Sequence, residues 1–149
     1  MVVVQGDTSS ALGGALAAAQ AGLPLAHVEA GLRTHDSANP WPEEEFRVAI
    51  DACADLLFAP TDTSAANLRA EGVAGRIEVT GNTAVDALVA AMPRLRARPA
   101  RRSQRRRLLV TCHRRESWGE GLDAIASALG DIAAGDPVDI RFVLHPNPR

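Results

Sequence analysis

The stretch HVEAGLRTHDSANPWPEEEFR, His27 to Arg47, sets two His, four Glu, one Asp and two Arg into an otherwise Ala-rich chain. Titratable groups at that density suit proton transfer, because a carboxyl or imidazole can take a proton and return it. A solvated surface loop would account for the charges equally well. It would not obviously account for the Trp41 indole held between Pro40 and Pro42, immediately ahead of three carboxylates. Both readings stand at this point. Three further polar clusters share one feature with this one: Gly6-Asp7-Thr8, Cys112-His113-Arg114-Arg115-Glu116-Ser117 and His145-Pro146-Asn147-Pro148 each follow a segment that reads as a strand. Singly each is weak, since a Gly-Asp-Thr turn is usually a helix cap and a Glu after a strand is usually solvated.

The elements that must position these clusters alternate. Val2–Val4, Leu25–Val28, Leu56–Ala59 and Ile77–Val79 are predicted strands. Helices are predicted over Thr8–Ala21, Glu43–Ala54, Thr63–Glu71 and Val85–Met92. Their start signals are Thr8-Ser9, Pro42, Thr61 to Thr63 and the Gly81-Asn82-Thr83 turn. Such alternation predicts an α/β fold with parallel sheets and flanking helices, its ligand groups gathered at the carboxyl ends of the strands.

Residues 93–107, PRLRARPARRSQRRR, hold eight of the sixteen Arg and no acid, and read as a linker. They lack the aromatic or base-reading partners that a nucleic-acid arm needs. After them the alternation restarts with strand Leu108–Thr111, helix Gly121–Ala134 and strand Ile140–Leu144. The expected organisation is residues 1–92 as the second half of one α/β domain, 93–107 as linker, and 108–149 as the first βαβ unit of another.

Composition removes several function classes. A net charge of −2 and 46% hydrophobic residues describe a soluble domain able to build a core, with no nucleic-acid or membrane partner. No apolar run approaches the roughly 18–20 residues that span a bilayer. The chain has no lysine, so Schiff-base chemistry is excluded. Neither a GxGxxG nor a P-loop pattern occurs, the four His lack metal-ligand spacing, and no cofactor is implied. Cys53 and Cys112 lack CxxC spacing and read as free thiols of a cytoplasmic protein. Opening directly on a buried-type strand and closing just after another, the chain reads as a fragment.

Five stretches in order carry a resemblance: QGDTSSALGGALAAAQAGLPLAHVEAGLRT, NPWPEEEFR, GNTAVDAL, TCHRRESWGEGL and HPNP. Together they resemble the non-hydrolysing UDP-N-acetylglucosamine 2-epimerases of bacteria across nearly the whole chain. The resemblance implies two Rossmann-like domains in the glycosyltransferase-B arrangement, only part of each present here, with nucleotide-sugar between them. It further implies a homodimer for the complete enzyme, and a role in surface-polysaccharide precursor synthesis. A glycosyltransferase of the same architecture is disfavoured by the pairing of PWPEEEF with HRRES.

The resemblance also gives the acidic loop a task. In this family UDP leaves C1 while C2 loses its proton, and an unsaturated 2-acetamidoglucal remains. UDP then returns as C2 is protonated on its other face. Asp7, Glu29 and Glu43 match the acid/base positions, and His113 matches the partner of the departing diphosphate. Glu44, Arg115 and His145 match positions near a second UDP-N-acetylglucosamine that acts as activator, although an Arg beside a Glu in HRRES is also a local ion pair. Phe46 and Cys112 depart from the usual Asn and Gly of the family motifs. The isolated chain is expected to be inactive.

Overall fold

The computed structural model describes residues 1–96, 105–112, 119–135 and 137–143. The chain divides into two compact units, residues 1–97 and 98–149.

The first unit is a four-stranded parallel sheet in the order β1 (Val2–Gln5), β2 (Leu25–Val28), β3 (Leu56–Ala59), β4 (Arg76–Val79). Its helices are α1 (Ser9–Gln20), α2 (Glu43–Cys53), α3 (Asp62–Glu71) and α4 (Thr83–Arg96). Register sets Val4 opposite His27 and His27 opposite Leu57, so these three side chains share one face of the sheet. That face is the core. It packs under Ala11, Ala15 and Ala18 of α1, Ile50 of α2, and Ala65 and Leu68 of α3. The α1 positions are spaced four and three apart, which puts them on one side of the helix, and their small size lets its backbone approach the strands. Gly14 carries this further, since a Cβ there would stand 3.1 Å from the Val4 side chain.

Local chemistry explains the helix ends. Thr8 Oγ1 accepts from Ala11 N–H at 3.2 Å to open α1, and Thr61 Oγ1 accepts from Ser64 N–H at 3.1 Å to open α3. Gly72, at φ +68°, closes α3 in the left-handed conformation that a helix C-terminus favours. No side chain caps α2. Its first turn is Glu43-Glu44-Glu45, three carboxylates at the positive end of the helix dipole.

The second unit is a βαβ: β5 (Arg106–Thr111), α5 (Glu120–Gly135) and β6 (Val138–Val143), the strands parallel and in register from Arg106↔Val138 to Thr111↔Val143. Leu108, Val110, Val138, Ile140 and Phe142 alternate as the half-buried strand positions, and α5 has no fully buried residue. The Arg-rich stretch enters both neighbouring elements. α4 continues through Pro93 to Arg96, and β5 takes in Arg106 and Arg107 at its exposed start. A proline removes one helical N–H but leaves later residues free to stay helical, so α4 runs past the predicted stop at Met92. Among the described residues no helix is long and apolar enough to cross a membrane.

Candidate active site

Each strand of the first sheet passes into a turn at its carboxyl end, and the turns after β1 and β2 carry two of the predicted acids. Gly6, at φ +69°, turns the chain toward Asp7, with its N–H donating to Val28 O at 3.1 Å. Glu29 occupies the left-handed region at φ +73°, an unfavourable conformation for a residue with a Cβ. It is held there because Glu29 N–H and Ala30 N–H both donate to Phe58 O, at 3.1 and 3.0 Å. Gly31 follows at φ +79°, where any Cβ would fall 2.3 Å from Ser64 O. The two turns touch: Glu29 Oε2 lies 3.7 Å from where a Cβ on Gly6 would stand.

Arg47 gathers the remaining acids. Its Nε donates to Asp7 Oδ2 at 3.1 Å, Nη2 makes a second bond to the same oxygen, and Nη1 reaches Glu44 Oε2 at 3.1 Å. The other oxygen of Glu44 accepts from Thr34 N–H at 2.9 Å and His35 N–H at 3.0 Å. Glu44 is 4% exposed, with Oε1 tying the loop to α2 and Oε2 paired with Arg47 within the helix. Glu43, the first residue of α2, lies four positions before Arg47 and so on the same helix face.

Beneath the turns runs a buried polar chain. His27 Nδ1 meets Asp51 Oδ1 at 2.5 Å, and His27 Nε2 donates to the Gly6 carbonyl at 2.9 Å. Asp51 Oδ2 accepts from Gly31 N–H at 3.1 Å and faces Arg33 Nη1 at 2.8 Å. Arg33 continues to Glu71 through two 2.6 Å bonds. The Arg33 side chain is 1% exposed. Burial works against its charge, but the Glu71 hydrogen bonds and the Asp51 carboxylate outweigh that cost, and its pKa is raised.

A shallow open crevice lies at this edge, lined by Gln5, Val28, Glu29, Pro60, Gly81, Asn82 and Thr83. Of the predicted site residues Glu29 lines it. Asp7 and Glu44 are paired with Arg47, Glu43 opens α2 with its Oε2 buried, and His113, Arg115 and His145 lie outside the described residues. Among the described residues no three His, Cys, Asp or Glu form a metal-binding group. The loop charges are mostly internal, and Trp41 is 65% exposed, so the indole does not anchor the loop. The ion pairs do. Sequence reasoning gave no role to Arg47, Asp51 or Arg33, whose long-range partners Asp7, His27, Gly31 and Glu71 lie 20 to 40 positions away.

The sequence pattern of one family, described as UDP-N-acetylglucosamine 2-epimerase, matches residues 1–149. The chain belongs to the UDP-N-acetylglucosamine 2-epimerase family. A probable UDP-N-acetylglucosamine 2-epimerase of Ralstonia nicotianae is 45% identical over all of this chain, and the UDP-N-acetylglucosamine 2-epimerase of Escherichia coli K12 is 42% identical. The chain spans 43% of the length of each. Solved members of the family give the same result. The Neisseria meningitidis UDP-GlcNAc 2-epimerase bound to UDP-GlcNAc superposes with TM-score 0.88 at 35% identity, over 99% of this chain and 43% of that one. The Methanocaldococcus jannaschii enzyme in complex with UDP-GlcNAc and UDP gives 0.81 at 38% identity, over 97% and 42%. The family's glycosyltransferase-B-like fold agrees with the parallel α/β units seen here.

Proposed function

We propose that this chain supplies the acid/base groups of an enzyme interconverting UDP-N-acetylglucosamine and UDP-N-acetylmannosamine, for surface-polysaccharide precursors. The observation that carries the proposal is the convergence of the Asp7 and Glu29 turns at the carboxyl edge of a sheet whose whole sequence matches the epimerase family. In the forward half-reaction a carboxylate takes the C2 proton, the C1–O bond breaks with its electron pair leaving on UDP, and a C1=C2 double bond forms. The return adds UDP to C1 while a carboxylic acid delivers a proton to the opposite face of C2. Asp7, Glu29 and Glu43 are the proton carriers of this scheme. Carboxylates near C1 also answer the positive charge that develops as UDP departs.

His113, carried over from the resemblance, donates to the diphosphate. Arg115 and His145 bind a second UDP-N-acetylglucosamine as activator, and the complete enzyme acts as a homodimer. The engagement of both Glu44 oxygens supports a different part for that residue, holding residues 34 and 35 to α2 beside the activator site.

The isolated chain spans 43% of its relatives' length and is expected to be inactive, because catalysis requires nucleotide-sugar clamped on all sides. The test is a chimera in which these 149 residues replace the matching stretch of the Escherichia coli relative. Formation of UDP-N-acetylmannosamine from UDP-N-acetylglucosamine, resolved by proton NMR, supports the proposal. A folded chimera that leaves the substrate unchanged refutes it.

A further inference from the structure

The buried chain under the site has a geometry that core packing does not require. Asp51 has two carboxylate oxygens, and each leads to a different acid-bearing turn. Through Oδ1 it holds His27, whose Nε2 donates to the carbonyl of the Gly6–Asp7 peptide at 2.9 Å. Through Oδ2 it holds Gly31 N–H at 3.1 Å, two residues beyond Glu29. The Gly6 carbonyl fixes the plane of the peptide from which Asp7 projects. The Gly31 bond closes the turn that keeps Glu29 at positive φ. His27 and Asp51 are wholly buried, and neither reaches solvent at the crevice. Arg33, held by Glu71, fixes Asp51 in turn.

We propose that Asp51 and His27 are positioning residues that set the relative placement of the Asp7 and Glu29 carboxylates. This rests on the function proposed above for those two groups, but the anchoring itself is a separate physical claim. A carboxylate that must meet one proton at one carbon tolerates little displacement, and a misplacement of about 1 Å costs on the order of 10²-fold in rate. The two arms are separable. Asp51→Ala releases both turns, whereas a change at His27 releases only the first.

Two substitutions at His27 distinguish positioning from bulk stability. In His27→Gln the amide nitrogen takes the place of Nε2 and still donates to Gly6 O, leaving Asp51 Oδ1 without its donor. In His27→Asn the nitrogen takes the place of Nδ1, so Asp51 keeps a donor and Gly6 O loses one. An unpaired buried carboxylate oxygen costs more than an unpaired carbonyl, so His27→Asn is expected to have the higher Tm. Catalysis is expected to rank them the other way.

The experiment uses the chimera described above. His27→Asn should lower kcat by about 10- to 100-fold with KM within about two-fold, and His27→Gln should stay within about five-fold of the unsubstituted kcat despite its lower Tm. If kcat instead follows Tm, or neither variant changes kcat, positioning is refuted. Hydrogen exchange read by mass spectrometry on the same proteins needs no activity and so separates this claim from the proposed function. Asp51→Ala should raise exchange in both turns, residues 6–8 and 29–32, and His27→Asn only in the first. Unchanged exchange in both variants, or an equal rise in both turns for both, overturns the proposal even if the chimera has no epimerase activity. Should Asp51→Ala fail to fold, the His27 pair decides: exchange in residues 6–8 should rise in His27→Asn and stay near the unsubstituted level in His27→Gln, with residues 29–32 unchanged in both, and any other pattern overturns the proposal.

Discussion

The two units solve the problem of burial differently. In the first, Leu25, Ile50, Leu57 and Leu68 are wholly buried, and His27, Asp51 and Glu44 are enclosed with their partners beside them. In the second, α5 has no fully buried residue, the strands are half-buried at best among the described residues, and the Arg105–Asp139 ion pair is long at 3.9 Å and exposed. Exposed pairs of that kind contribute little. The difference lies in how the acid-bearing turns of the first unit are tied to a buried core. The first unit shows both a core and the internal ion pairs that fix its turns, whereas the described residues of the second show an apolar stripe on a two-stranded ribbon.

Substitutions can break or sharpen this contrast. The largest effect is expected from Gly31→Ala, because the new Cβ would stand 2.3 Å from a backbone oxygen at a backbone angle that disfavours it. It should destabilise the first unit by about 4 kcal/mol or more, seen as loss of the native circular dichroism spectrum at ambient temperature. Next, Asp7→Asn, Glu29→Gln and Glu43→Gln in the chimera should each lower turnover by about 10²–10⁴-fold while the spectrum stays native. Near-normal rates in all three would make these groups structural. Leu57→Ala, at a fully buried position, should cost about 2–5 kcal/mol in chemical denaturation. Leu109→Ala, 69% exposed in the second unit, should change stability by less than about 0.5 kcal/mol. Equal costs at Leu57 and Leu109 would abolish the contrast.

The strands β2 and β3 were legible to the residue, because each is a short apolar run bounded by turn residues, and the threonines at 8 and 61 marked two helix starts. The end of α4 was not. Pro93 and the following arginines carry the signals of a stop, and the helix passes through them. In the site, the place of Asp7 and Glu29 just after strands was legible, whereas the part proposed for them came from the resemblance. What could not be read was which charges are used internally. His27 and Asp51 are 24 residues apart, Asp7 and Arg47 40, and Arg33 and Glu71 38. Such pairs leave no local periodicity, and only the fold brings them into register. The acidic loop accordingly holds charges of two kinds in one sequence: Glu29 at the edge, and His27, Arg33 and Glu44 turned inward to hold it.

The central claim, that carboxylates at this edge move the C2 proton, is tested most directly by running the chimera on UDP-N-acetylglucosamine in D₂O and following the C2 position by NMR. The account predicts that product and recovered substrate both acquire deuterium at C2, and that incorporation collapses when Asp7, Glu29 and Glu43 are replaced together by Asn, Gln and Gln. Epimer formed with its original C2 proton, or exchange that persists at the unsubstituted rate in the triple variant, would contradict it.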